Sequence, residues 1–505
     1  MTEAIAAACE NEATIDLHGG TVRVRTPLSV GGLKRLTIRN GTLKAVDDMG
    51  GKYLLFAYGS GTELQLSSVR LHGKGLQAGN RASIRMTRGA IIGAATNGVF
   101  SNRCGTVHLD RVEIHDAAEC GVRLSGEGEG SPGNVVIRGC RIMGCKADGV
   151  RLGGALACEV TSATVNGCQG VALAAEGPET RLVVREGTFA ECREGGVSLK
   201  DVGGAQLEGL RVTDIRNAYG VHILGGEEGK ASGKVVLRSV TMSDCGKGGL
   251  LCETDNVFVD GATVGGCNWD GVTAQGESAC LTLRGGSVVN CKSGAAVLVS
   301  EGGRAEVEGV HVSQCREGLR VEGAGSKAAV HGGKVAECGH AGVVAADKGR
   351  VEGTKGLVVE LCGTGVDVSG GAQVDLSDGV VVRGCPGTGV LCTKGGEVTL
   401  RRVAVQLCSG SGIPCVQGGA VDADDADIEG CKGHGLWVSH TSSRATVRGG
   451  RVSDCAFGGL LCSDGARVTA ERLQVSGYGG AGVSERRGGV VTKKDVQVQG
   501  CKVRG

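Results

Sequence analysis

Proline is scarce in this sequence, with 5 residues in 505, and aromatic residues make up only 2%. Neither sign of charge dominates: 55 Lys and Arg stand against 54 Asp and Glu, a formal net charge of +1. That balance leaves no electrostatic footprint for nucleic acid or for an anionic membrane surface. No apolar run approaches the roughly 20 residues a transmembrane helix needs, so no membrane partner is expected. The opening MTEAIAAACENEA carries an early Glu and no basic, apolar signal region. A secretory leader is therefore not expected, and an intracellular, cytoplasmic protein is.

Glycine is abundant, at 94 residues. Without proline or a three-residue period it excludes collagen, and the valine content argues against disorder. Many short strands separated by glycine turns remain. Cysteine is also abundant, at 24 residues, and its placement is periodic. The repeating slot reads Cys145, Cys168, Cys192, Ile215, Cys245, Cys267, Cys291, Cys315, Cys338, Cys362, Cys385, Cys408, Cys431, Cys455, Tyr478, Cys501. The usual step is 23 or 24 residues, and a Gly and an apolar residue follow each slot, as in CREGLRV from Cys315. A fixed period of this size marks a stacked repeat, so the fold is argued per repeat.

One unit shows the construction. ACLTLRGGSVVNCKSGAAVLVSEGG, Ala279–Gly303, holds three short alternating strands, LTLR, SVVN and AAVLV, with turns between them. Three strands in so short a span leave no room for a crossover helix, so a βαβ unit is excluded. They fit one coil of a parallel β-helix, in which each strand pairs with its counterpart in the next coil. Coils then stack at about 4.8 Å, and about 20 of them are expected. The predicted architecture is all-β. A short helical cap at residues 1–15 uses Thr2 as cap and Ile5, Ala8 and Cys9 as its apolar face. A single right-handed β-helix follows over residues 16–505, regular from residue 116.

The opening strands TIDLHGGTVRV…LTIRNGTL and the recurring GV-x-L strand resemble the right-handed parallel β-helix proteins of the pectin-lyase-like superfamily. In those relatives the turn slot often holds a stacked Asn, where Cys stands here. The resemblance implies the fold, and it brings polysaccharide lyases and glycoside hydrolases into view as an alternative function. It also includes non-enzymatic recognition rods, such as the substrate-recognition parts of ubiquitin-ligase adaptors. Fold alone decides nothing between them.

The slot cysteines are read as reduced and buried small hydrophobes. No cofactor is expected, and no metal: there is no CxxC pair, and inward stacking leaves little room for an ion. Seven residues before each slot lies an outward column, from Asp110, Arg138, Thr161, Arg185 and Glu208 through Glu308, His331, Glu352, Ser377, Arg401, Asp424 and Arg448 to Glu471 and Lys494. Its near-perfect sign alternation predicts a salt-bridge ladder that holds register.

The strand after each glycine has a second outward column. It includes Arg123, Arg151, Ala172, Arg320, Val344, Asp367, Leu391, Pro414, Trp437, Leu461 and Ser484, and turns apolar toward the C-terminal half. Leu391, Trp437 and Leu461, with Phe457 in an adjoining turn, form the predicted binding strip. Its expected partner is a protein, with a glycan as the other option. Catalysis is not the favoured reading. Asp424 and Asp425 followed by His434 resemble the DD and GHG motifs of polygalacturonases, but here both fall within one coil, and no other motif of that family is present. The chain stops four residues past Cys501. A bare last coil predicts either end-to-end self-association or a chain that continues past this point.

Overall fold

The computed structural model describes residues 13–32, 34–126, 133–226, 233–477 and 479–500. The chain divides into two compact units, Met1–Leu250 with Thr254–Phe258, and Leu251–Glu253 with Val259–Gly505. Each is a right-handed parallel β-helix, and no helix occurs among the described residues. The expected N-terminal cap is not supported. Residues 1–12 lie outside the described residues, and Ala13–Asp16 is already a strand, pairing in parallel with Leu36–Arg39. The alternation that starts at Thr14 outweighs the weak helical pattern before it. The last coil's Cys501 and the slot residue Tyr478 also fall outside the described residues.

In the first unit a representative coil consists of Arg181–Arg185, Thr188–Ala190 and Gly195–Lys200. These pair in parallel with Gly204–Glu208, Arg211–Thr213 and Val221–Leu224 of the following coil. In the second unit the coil singled out from the sequence has strands Cys280–Arg284, Ser287–Val289 and Ala295–Ser300. They pair with Arg304–Glu308, His311–Ser313 and Glu317–Glu322. Their inward residues Leu281, Leu283, Val288, Cys291, Val297 and Val299 are all buried. A regular coil thus has a long strand, a short strand and a glycine strand, the first two being fused in Arg35–Ala45 and Glu63–His72, and the glycine strands of successive coils build a sheet of their own.

The slot is where the short strand turns into the glycine strand. The residue before it is left-handed in coil after coil: φ is 56° at Gln314, 55° at Leu361, 55° at Leu407 and 54° at Asp454. That conformation swings the slot side chain inward. Most of the slot thiols then sit on the carbonyl two residues back, as in Cys362 to Glu360 O at 3.3 Å and Cys455 to Ser453 O at 3.4 Å. The backbone after the slot bonds to the slot carbonyl of the preceding coil, as in Ser409 N to Cys385 O and Lys432 N to Cys408 O, both 2.9 Å.

The glycine after the slot has a steric reason. A Cβ on Gly365 would collide with Val382 Cγ1 of the next coil, and would lie 2.5 Å from Gly389 O and 3.3 Å from Cys385 Sγ. Gly342, Gly389, Gly412 and Gly435 meet the same triplet of an aliphatic side chain, a backbone oxygen and the next slot thiol. The glycine column and the cysteine column are therefore two sides of one contact.

All 22 described cysteines are thiols, and all but Cys280 are buried. Burial pushes the Cys140 thiol up to about 11 and the Cys104 thiol up to about 12, which keeps both uncharged. The charge column also forms. In the first unit Arg185 meets Glu208 at 3.9 Å. In the second, Arg284 meets Glu308 at 3.2 Å, and Arg448 meets Asp424 at 3.0 Å. Two positions need correcting. Thr354, not Glu352, pairs with His331, because the bend at Lys355–Gly356 holds one extra residue. Ala174, not Ala172, is outward beside Arg151, because Gly170 lies in the turn and Ala172 occupies the glycine's place.

Two measurements check this packing. Gly365→Ala should lower unfolding stability by about 2 kcal/mol or more, the cost of overpacking a tight contact. Gly339→Ala, where an added Cβ meets nothing within 4 Å, should change it by under about 0.5 kcal/mol. Thiol titration of the native protein should show Cys280 as the one fast-reacting site among the described cysteines, lost in Cys280→Ser. In denaturant all 24 should titrate; a much lower count would mean cross-linked coils.

Candidate functional site

The glycine sheet of the second unit presents the outward column in register. Leu298 pairs with Arg320, Arg320 with Val344, Val344 with Asp367, and Asp367 with Leu391. Further along, Pro414 pairs with Trp437, Trp437 with Leu461, and Leu461 with Ser484. Strand alternation decides which residues face out: Leu436 and Val438, on either side of Trp437, are core.

The predicted strip residues therefore share one face, but they contribute unequally. Phe457 is 68% exposed, whereas Leu461 is only 8% exposed. Trp437 and Leu391 are half-buried. Phe457 packs edge-on against His434 with ring centroids 6.0 Å apart. His434 begins the Trp437 strand and lies in register with Gly458. Burial, with Arg486 nearby, pulls the His434 imidazole below its usual range. On the other flank, Ser439 and Ser463 both donate to Asp464 Oδ2 at 2.8 Å, and Arg487 lies 3.5 Å from Asp464 Oδ1. Those bonds, with Ser439's the largest, hold the Asp464 carboxyl below its ordinary value.

A second column runs along the rim, one residue before each glycine: Asp270, Glu317, Thr364, Thr388, Ser411 and His434. Pairing of Glu317 with Ala341, and Ala341 with Thr364, keeps it straight. Asp270 Oδ1 accepts from Ala295 N at 2.8 Å, and Ser411 Oγ accepts from His434 N at 3.2 Å. Burial raises the Asp270 carboxyl above its ordinary value.

Four buried side-chain polar atoms of this unit lack a partner among the described residues: Thr273 Oγ1, Thr388 Oγ1, His434 Nδ1 and Trp437 Nε1. All four belong to the glycine sheet or to the turns leading into it. All four are shielded from solvent, and the first unit holds as many, Thr62 Oγ1, Thr96 Oγ1, Ser101 Oγ and Asn166 Oδ1, so they lie beneath the face and do not mark it out.

The structure does not bring the polygalacturonase-like residues together. Asp424 ends a long strand and is tied to Arg448, and Asp425 is an exposed bend residue with φ of 51°. His434 lies on the glycine sheet instead. Among the described residues no group of three or more His, Cys, Asp or Glu could hold a metal ion.

Sequence reading missed several exposed positions. Trp269 is 60% exposed, more than Trp437, and Leu361 and Leu407 stand out at left-handed bends. In the first unit, Tyr53 stacks on Phe100 at 5.6 Å and 9°, and Phe56 on Tyr58 at 5.6 Å and 19°. Phe100 lies in register with Arg123, and Arg123 with Arg151, which Asp148 holds at 3.0 Å. Arg123 and Arg151 were legible as outward residues. The aromatic pairs were not, because they join different coils or positions of irregular early repeats.

No curated protein matches the sequence. Among solved structures, the Dettilon tailspike protein is similar over 65% of this chain and 62% of its own, at 11% identity and a TM-score of 0.33. The catalytic domain of GH87 alpha-1,3-glucanase in complex with tetrasaccharides is similar over 82% and 64%, at 10% identity and a TM-score of 0.25. The periplasmic alginate epimerase AlgG is similar over 96% and 85%, at 9% identity and a TM-score of 0.22. The chain thus spans just under two thirds of the length of the first two. The family model described as the right handed beta helix region matches residues 74–232, 219–381 and 355–503. Those matches cover most of the sequence, and the protein belongs to the right-handed β-helix family.

Proposed function

We propose that the second unit binds a glycan chain along the outer face of its glycine sheet, centred on Trp437. The observation that carries this reading is the placing of two rings, half-buried Trp437 and 68% exposed Phe457, on a face flanked by the Asp464 carboxylate. A polyhydroxylated ligand supplies donors and acceptors at close spacing, whereas apolar protein surface supplies neither. The rings of Trp437 and Phe457 offer stacking surface, and the Asp464 carboxylate, held in place by buried Ser439 and Ser463, adds an accessible acceptor on the far flank.

A protein partner docking on an apolar strip is less well supported. Val344 is 4% exposed and Leu461 8%, so the apolar column is interrupted and no broad hydrophobic patch remains. The mixture of isolated rings and polar rims suits sugar rings better than a protein core.

The test is binding of the whole protein to immobilised α-1,3-glucan, alginate and β-1,4-glucan oligosaccharides. Trp437→Ala should weaken the best of these interactions at least about tenfold, equivalent to about 1.4 kcal/mol, with the melting temperature unchanged. Phe457→Ala should weaken it less, since that ring stands 68% exposed beside His434. Equal affinity of wild type and Trp437→Ala, or binding to none of the glycans, would remove this reading.

A further inference from the structure

The outer face of the first unit's glycine sheet carries a separate constellation. Phe100, Arg123 and Arg151 stand side by side on three successive coils, because Phe100 is in register with Arg123 and Arg123 with Arg151. Strand alternation puts residues two places apart on the same face, so Ser125 and Gly153 lie beside the two arginines. Glu176, in register with Gly153, comes next. The small Ser125 and Gly153 leave a dent of about 240 Å³, with Phe100, Arg123, Arg151 and Glu176 around it. That volume lies just below the roughly 300–1,000 Å³ of pockets for drug-sized ligands, so it suits a small molecule and not a folded partner.

Two of the three large side chains are held from beneath. The Phe100 ring stacks on Tyr53 with centroids 5.6 Å apart, and Asn97 donates to the Tyr53 hydroxyl at 3.3 Å. Asn97 is itself tied down, donating to Glu119 at 2.6 Å and accepting from Cys120 N at 3.1 Å. Arg151 Nε meets Asp148 Oδ2 at 3.0 Å, while Asp148 Oδ1 accepts from Val171 N at 2.8 Å. A guanidinium has five N–H donors, so this contact leaves others for the dent. Arg123 forms no ion pair among the described residues.

The arrangement works against the rod. Parallel neighbours stand about 4.8 Å apart, and like charges directly opposite destabilise a sheet. On the long strands opposite charges meet, as Arg185 meets Glu208. On this face two guanidinium groups meet instead. Asp148 is occupied with Arg151, and Glu176 stands on the far side of Gly153, so Arg123 is left uncompensated. An anion between the two arginines removes the repulsion and accepts from both.

We propose that this dent binds a mononucleotide, with its phosphate between Arg123 and Arg151 and its base on the Phe100 ring. The pair selects phosphate: guanidinium forks match its oxygens, and a dianion satisfies two positive groups where a carboxylate satisfies one. The ring selects a base: Tyr53 takes one face of half-buried Phe100 and leaves the other to stack on a planar group. Ser125 and Gly153 leave room for the sugar, whose hydroxyls donate to Glu176. The site is independent of the glycan reading.

The experiment is isothermal titration of the whole protein with AMP, ribose 5-phosphate, adenosine and inorganic phosphate. AMP should bind most tightly, ribose 5-phosphate about tenfold more weakly for want of the stacked base, and adenosine too weakly to measure. Arg123→Gln should weaken AMP about tenfold or more with the melting temperature unchanged or raised, since it removes a repulsion and no protein contact. An arginine with a purely structural role would lower that temperature and leave affinity alone. Phe100→Ala should bring AMP down to the affinity of ribose 5-phosphate. Arg151→Lys, which keeps a cation beside Asp148, should weaken AMP as well. Absence of AMP binding at millimolar concentration, or equal binding by Arg123→Gln, would overturn the site. Inorganic phosphate or ribose 5-phosphate binding as tightly as AMP would overturn the nucleotide assignment. So would displacement of AMP by a single-stranded oligonucleotide or an alginate oligosaccharide that binds more tightly. Trp437→Ala should leave AMP binding unchanged, so the two proposals stand or fall separately.

Discussion

The structure depends on one contact repeated from coil to coil: a glycine of one coil receives the aliphatic side chain and the thiol of the next. At Gly365 these partners are Val382 and Cys385, and at Gly389 they are Val405 and Cys408. Parallel strands stand about 4.8 Å apart, which leaves too little depth for a Cβ against a β-branched side chain. Glycine on one side permits cysteine and valine on the other. Cysteine suits the slot because it is small, apolar and able to rest its weak donor on a nearby carbonyl. A larger apolar side chain also takes the slot, as Ile215 does while remaining fully buried.

A core built this way has consequences for the surface. Inward positions are consumed by packing, and register is reinforced by ion pairs on the long strands, such as Arg284 with Glu308. The outer face of the glycine sheet carries no comparable ladder. Its column changes from charged at Arg320 and Asp367 to aromatic at Trp437. That asymmetry between a face that holds the rod together and a face that does not is the physical basis for placing function on the glycine sheet of the second unit.

Much of this was legible from residue order. The cysteine period and the glycines behind it, together with the alternation in Cys280–Arg284 and its partners, specified three strands per coil. The outward column at Leu391, Trp437 and Leu461 followed from counting. Counting failed where a coil departs from the rule: at Ala172 because the glycine lies in the turn, and at Glu352 because a bend holds an extra residue. The helix expected at residues 1–15 rested on a pattern too short to outweigh the strand that begins at Ala13.

The sequence by itself determined the repeat, the inward and outward sets and the sheet on which a site could lie, because strand periodicity and glycine sterics act between neighbours in the chain or one coil apart. Only the tertiary structure decided which outward residues meet. The seating of Phe100 beside Arg123, the stacking of Phe100 on Tyr53 across coils, and the missing partners of Trp437 Nε1 and His434 Nδ1 depend on stacking and depth. Those are properties of coils packed together, and a one-dimensional pattern does not contain them.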